Sequence, residues 1–129
     1  MATSLRGQHS LEVVVEGINA EKKGVISLGI FKAGSNFPAV GAEFKGVRIK
    51  VEGEQMTYAF TDLPKGKYAV SLFHDENENL RLDQNLLGLP KEGYGFSNNI
   101  VPRMGPPSFE ATTIQLDQRK RTIFISVRY

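Results

Sequence analysis

The sequence contains no cysteine, no apolar run long enough to cross a membrane and no concentration of charge of one sign. The absence of cysteine excludes disulfides, cysteine-ligated zinc and thiol catalysis. The basic residues are scattered and nearly balanced by acidic ones, with a formal net charge of +2, so the chain has no phosphate-binding stripe. A transmembrane helix needs about 20 apolar residues. We therefore expect neither nucleic acid as a partner nor a membrane span.

The N-terminal ten residues lack the apolar stretch of a signal peptide. We interpret residues 1–10 as a disordered leader, or as an expression leader in place of a removed segment. A chain of 129 residues has the size of one domain. The sequence thus predicts a single domain over residues 11–129.

Apolar and polar residues alternate in seven stretches between Leu11 and Tyr129, which is the pattern of half-buried β-strands. Turn signals such as Leu63-Pro64-Lys65-Gly66 separate the stretches, and no segment has a helical period. The pattern predicts an all-β fold, a seven-stranded antiparallel β-sandwich of transthyretin-like or Ig-like type. The expected core residues are Val13, Val15, Ile26, Leu28, Ile30, Val47, Ile49, Tyr58, Phe60, Val70, Leu72, Ile114, Ile123, Ile125 and Val127.

One long loop, from Asp75 to Phe109, interrupts the strands. Unstructured loops of more than about 12–15 residues are uncommon in compact domains, and this one is rich in apolar residues. We expect it to be ordered and to pack over one end of the sandwich. Binding sites lie disproportionately on loops held by rigid scaffolds, so Tyr94, Phe96, Asn98 and Asn99 are the candidate partner-binding residues. The alternative is that both aromatic side chains are buried under the loop.

The loop begins with oxygen-bearing side chains at alternate positions, as in a calcium-binding loop. The expected ligands are Asp75, Asn77, Asn79, the Arg81 carbonyl and Asp83. Leu80 and Leu86 stand where such a loop has its glycine and its bidentate glutamate. The sequence therefore predicts at most a weak calcium site, completed by water or by Asn85 or Glu92. The alternative is an asparagine-rich turn whose side chains cap their own backbone.

His74 and Asp75 raise the question of catalysis, since a histidine and a carboxylate can form a base and its orienting group. Neighbouring residues of a strand point to opposite faces, however, so adjacency does not make them a pair. His74 continues the inward-facing series of its strand, which favours a hydrogen-bonded histidine at the edge of the core. A hydrolase is the least favoured interpretation, and we expect no enzymatic activity.

Several motifs of this chain resemble those of the DUF2141 family of bacterial proteins of unknown function. They are Leu63-Pro64-x-Gly66-x-Tyr68, His74-Asp75-Glu76-Asn77-x-Asn79, Leu82-Asp83, Gly88-x-Pro90-Lys91-Glu92-Gly93-Tyr94-Gly95-Phe96-Ser97-Asn98-Asn99 and Gly105-Pro106-Pro107-Ser108-Phe109-Glu110. The resemblance continues more weakly from Leu11 to Tyr129. The family normally has glycine where this chain has Glu78 and Leu80.

The resemblance implies a periplasmic or secreted protein, because family members usually carry a signal peptide. It implies no catalytic residues. The Leu-Pro-x-Gly-x-Tyr turn also resembles transthyretin-like and Cna-B-like sandwich domains, which often serve as binding modules. We therefore expect a non-enzymatic exported module that binds a protein or a cell-envelope component through the 75–109 loop. A small-molecule carrier of transthyretin-like type is the alternative.

Overall fold

A computed structural model describes residues 8–39, 41–78, 92–102, 105 and 107–129. The described residues form eight strands in two packed sheets, which confirms the all-β sandwich. The strands are β1 (His9–Glu16), β2 (Val25–Lys32), β3 (Lys45–Lys50), β4 (Met56–Leu63), β5 (Gly66–Asp75), β6 (Tyr94–Phe96), β7 (Thr113–Leu116) and β8 (Lys120–Ser126). A short helix, α1 (Phe109–Thr112), precedes β7, and Ser108 caps it by accepting a hydrogen bond from the Ala111 N–H. No helix among the described residues is long and apolar enough to span a membrane.

The smaller sheet has three strands in the order β4-β1-β8. β1 pairs antiparallel with β4 but parallel with β8, with Ser10 opposite Lys120 and Glu16 opposite Ser126. The larger sheet has the order β3-β2-β5-β6, with β7 also pairing with β5, and all its pairs are antiparallel. The sandwich therefore departs from the prediction by one additional strand and one parallel pair.

The two sheets bury their facing side chains as the alternating pattern predicts. Of the predicted core, twelve residues are buried: Val13, Val15, Ile26, Leu28, Ile30, Phe60, Val70, Leu72, Ile114, Ile123, Ile125 and Val127. Val47, Ile49 and Tyr58 are only half-buried. These three lie on β3 and β4, which do not pair with each other as strands, and no strand among the described residues covers this side of the core. We call it the open side.

The opposite side of the sandwich is closed by β6. This strand pairs with β5, and beyond it the backbone of Tyr94 exchanges two hydrogen bonds of 2.9 and 2.8 Å with Arg128, just after β8. β6 thus joins the two sheets. The glycine between its two aromatic residues is required by the close packing, because a Cβ at Gly95 would lie 2.7 Å from the Cγ2 of Ile125.

The Gly95→Ala variant tests this closure. The added methyl group must displace Ile125 inside a packed core, and such overpacking lowers the free energy of unfolding by about 1–3 kcal/mol. Gly53→Ala is the control, because a Cβ at Gly53 meets no atom within 4 Å. Its free energy of unfolding should stay within about 0.5 kcal/mol of wild type. Urea denaturation of both variants checks the prediction, and equal stabilities would contradict it.

Candidate functional site

The outer face of the larger sheet carries the two aromatic residues predicted to bind a partner. The register places Tyr94 opposite Phe73 and Phe96 opposite Ser71, and both strands turn these side chains away from the sandwich interior. Of the loop, residues 94–96 therefore extend the larger sheet beside β5, with the side chains of Tyr94 and Phe96 on its outer face. Of the 75–109 loop that we expect to be ordered, residues 79–91, 103, 104 and 106 lie outside the described residues.

Phe96 belongs to a second apolar cluster on this outer face. The Phe37 ring lies 5.0 Å from the Phe31 ring, 6.2 Å from the Phe96 ring and 6.0 Å from the Phe109 ring, in each case edge to face. Edge-to-face contacts of this kind add to the stabilisation from burial. Phe96 is buried and holds the loop to the sheet, so its ring is not presented to a partner.

Tyr94 is more accessible than Phe96. Its side chain is half-buried, and its ring lies 6.0 Å from that of Phe96. It ends a row of side chains that crosses the sheet from Arg48 through Ser27 and Phe73. Tyr94 is the predicted aromatic residue that a partner can reach.

Asn98 and Asn99 are exposed, but their side chains bond to the protein itself. Both residues have positive φ angles, which asparagine tolerates better than most residues. The Asn98 Nδ2 donates to the carbonyls of Ala111 and Thr113, at the edge of β7. The Asn99 Nδ2 donates to the Phe124 carbonyl, and its Oδ1 accepts from the Ser126 N–H. The two amides therefore replace the missing neighbouring strands at the edges of β7 and β8.

Two exposed apolar residues next to these amides were not among the predicted site residues. Val101 follows Asn99 by two positions and is 43% exposed, and Phe124 is 55% exposed. Phe124 points outward because its neighbours Ile123 and Ile125 point into the core. The alternation along β8 was enough to find it. We call Val101 and Phe124 the loop–β8 patch.

His74 is fully buried at the end of β5, and both of its ring nitrogens have partners. The Nε2 bonds to the Lys23 carbonyl and must therefore carry the proton. The Nδ1 lies 2.7 Å from the Tyr129 hydroxyl, which also accepts from the Asn19 N–H. Burial raises the pKa of Tyr129, the Asn19 N–H lowers it, and the charge of Glu76 raises it. The phenol thus stays protonated at neutral pH and can donate to His74.

Asp75 and Asn77 are the predicted calcium ligands that the structure describes, whereas Asn79, Arg81 and Asp83 lie outside the described residues. The Asp75 carboxylate is buried and forms an ion pair with Arg48, whose Nη1 lies 3.2 Å from Oδ2. The Arg48 guanidinium thus already neutralises the carboxylate of Asp75, the first of the predicted calcium ligands. Asn85 also lies outside the described residues, and the Glu92 carboxylate accepts a hydrogen bond of 2.9 Å from the Glu76 N–H.

The part of the chain that the structure describes contains no group of three or more histidine, cysteine, aspartate or glutamate residues that could hold a metal ion. Glu78 has a φ of 55°, in the left-handed region that favours glycine. Calcium binding stays a prediction.

A shallow groove of about 190 Å³ lies at the turn between β3 and β4. Its apolar lining residues are Ile18, Ile49, Val51 and Met56. Pockets for small molecules usually enclose about 300–1,000 Å³, so this groove is smaller than the site of a typical carried ligand.

Comparison with known proteins identifies the family of this chain. The family model described as "Uncharacterized protein conserved in bacteria (DUF2141)" matches residues 13–124. The chain therefore belongs to the DUF2141 family, as its motifs indicated. Neither the curated proteins nor the solved structures gave a match.

The first prediction from the site concerns Asn99. The Asn99→Gly variant keeps a residue that favours positive φ but removes both amide hydrogen bonds, so it should lower the free energy of unfolding by about 1–3 kcal/mol. Urea denaturation measures the loss, and amide exchange should become faster at Ser126. Gly53→Ala serves again as the control, because a Cβ at Gly53 meets no atom within 4 Å. Unchanged stability and unchanged exchange would contradict a structural role.

The second prediction concerns calcium. If the loop binds Ca²⁺ with a Kd of about 10⁻⁴–10⁻³ M, as weak extracellular sites do, calcium should raise the melting temperature relative to EDTA. Asp75→Asn should abolish the shift. Arg48→Gln should increase it, because the variant removes a competing cation. Melting curves at constant ionic strength check this, with Mg²⁺ as the control for general salt effects. If calcium and magnesium act equally on all three proteins, the loop is an asparagine-rich turn.

Proposed function

We propose that this protein is a non-enzymatic binding module of the bacterial cell envelope, exported to the periplasm or secreted, and that it binds a protein or cell-envelope component. The contact surface consists of Tyr94 and the loop–β8 patch. The observation that carries the proposal is the exposure of Val101 and Phe124 beside a loop segment held at many points. Exposed apolar side chains that form a contiguous patch are typical of interaction sites, and we propose that Val101 and Phe124 contribute to such a patch.

Rigidity supports this proposal because a preorganised surface loses little conformational entropy when it binds. The Ser97 hydroxyl is buried, accepts from the Val70 N–H at 3.0 Å and donates to the Thr112 carbonyl. Together with the amides of Asn98 and Asn99, it holds the segment to β5, β7 and β8. These bonds hold residues 97–99, the segment that leads into Val101.

Other activities have less support. The groove between β3 and β4 is small for a carried ligand. His74 is buried with both ring nitrogens bonded inside the protein, so it offers no accessible base. A binding module remains the function that the geometry supports best.

Co-sedimentation with separated envelope fractions tests the proposal. The probes are murein sacculi, outer-membrane vesicles and inner-membrane vesicles from a bacterium that encodes a protein of this family. Wild-type protein should sediment with at least one fraction. The Phe124→Ser variant should bind at least about ten-fold more weakly, because loss of a central aromatic contact is worth 1–2 kcal/mol or more.

Phe44→Ser is the matched control. Phe44 is the other exposed phenylalanine, 38% exposed, and it stacks on Tyr68 away from the loop–β8 patch. Circular dichroism must first show that both variants remain folded. The proposal is wrong if Phe124→Ser binds as wild type does, or if wild type sediments with none of the fractions.

A further inference from the structure

The strand edges of the two sheets differ in how well they are protected. Unpaired backbone groups at an edge can pair with another chain, and proteins usually block them with charges, bulges or covering groups. At β8, Asn99 bonds to Phe124 and Ser126. At β7, Asn98 bonds to the Thr113 carbonyl and the Arg121 Nη1 to the Gln115 carbonyl.

The edge of β3 is protected by charge. Lys45, Arg48 and Lys50 lie on a strand of six residues. A second copy paired with this strand would bring like charges together, and like charges directly opposite each other are destabilising. The basic β3 edge is therefore unsuited to pairing with itself.

β4 is the exception among these edges. It has eight residues, pairs with β1 alone among the described strands, and carries no charged residue from Met56 to Thr61. Two features hinder pairing with another strand at the C-terminal end of β4. Lys45 donates a hydrogen bond of 2.6 Å to the Thr61 carbonyl, and the register with β1 shifts near Asp62, whose φ is 57°. The part from Met56 to Phe60 keeps a regular register, and no described residue protects it in this way.

We propose that β4 is a dimerisation edge, which pairs antiparallel with β4 of a second copy of this chain. A two-fold axis at Ala59 places Ala59 opposite Ala59, Tyr58 opposite Phe60 and Thr57 opposite Thr61 of the second copy, and Lys45 leaves the Thr61 carbonyl when the two strands pair. Aromatic pairs and threonine pairs are among the favourable cross-strand neighbours. Thr57, Ala59 and Thr61 are exposed, and Tyr58 is half-buried. The edge thus brings no like charges together when it pairs with itself, and its opposed side chains are of compatible types.

The pairing makes a closed dimer. It joins the two smaller sheets into one sheet of six strands, in the order β8-β1-β4-β4-β1-β8. An isologous contact uses the same surface on both copies, so it ends at two subunits. The joined sheet has a β8 strand at each of its two edges, and Asn99 blocks both. Dimers rather than fibres are therefore the expected product.

Sedimentation velocity from about 1 to about 500 µM protein tests the proposal. Wild type should show a concentration-dependent dimer. Ala59→Lys places two ammonium groups opposite each other at the axis and should weaken association at least about ten-fold. Ala59→Thr keeps a β-forming neutral residue and should still dimerise. Ala59 is exposed, so neither variant threatens the fold, and circular dichroism verifies this.

Cross-linking locates the contact. Because the chain has no cysteine, a single introduced cysteine gives an unambiguous product. Ala59→Cys should form a covalent dimer under mild oxidation. Thr122→Cys, exposed on the same face but on β8, should not. A monomer at every concentration overturns the proposal, and so does a dimer that Ala59→Lys does not weaken, because that dimer uses another surface. The outcome is independent of whether the loop–β8 patch binds envelope material.

Discussion

The backbone groups along the edges of the two sheets are the constraint on which this structure depends. A buried N–H or C=O group without a partner is costly, and an exposed one is a site for unwanted pairing. On one side of the sandwich, a short strand and two asparagine amides supply the missing partners, so the sheets are joined through Arg128, Thr113 and Ser126. On the other side, Lys45 donates to a single β4 carbonyl. The molecule therefore has a closed side and an open side.

The need to pair these backbone groups explains the Gly-Tyr-Gly-Phe-Ser-Asn-Asn motif, which closes one side of the sandwich. Its glycines let the segment approach β8, since a Cβ at Gly93 would collide with the Tyr129 ring and one at Gly95 with Ile125. Its phenylalanine fills the outer apolar cluster, its serine bonds to β5, and its asparagines block the edges of β7 and β8. A motif that suggests a binding loop is thus mostly scaffold. Besides the exposed Asn98 and Asn99, whose amides bond to the protein itself, the accessible positions are the half-buried Tyr94 inside the motif and Val101 and Phe124 beside it.

The strands of the core could be predicted because alternation along each strand reports directly on burial. The partial exposure of Val47, Ile49 and Tyr58 could not, because it depends on which strands become neighbours in space. The same holds for β6, which is three residues long and is stabilised by partners far away in the sequence. The parallel pairing of β1 and β8 also requires knowledge of the topology. Phe124 could have been identified from its outward position between Ile123 and Ile125, whereas the edge-blocking role of Asn99 needs the structure.

The parallel pairing of β1 with β8 determines how the domain resists a pulling force. The chain enters the smaller sheet at the His9 end of β1 and leaves it at the Ser126 end of β8, so tension between the two ends of the domain acts along both strands in opposite directions. The hydrogen bonds between them are then loaded in shear and share the force, instead of opening one after another. Resistance to pulling is governed by the barrier to unfolding rather than by equilibrium stability. A module tethered at both ends would therefore hold under sudden load.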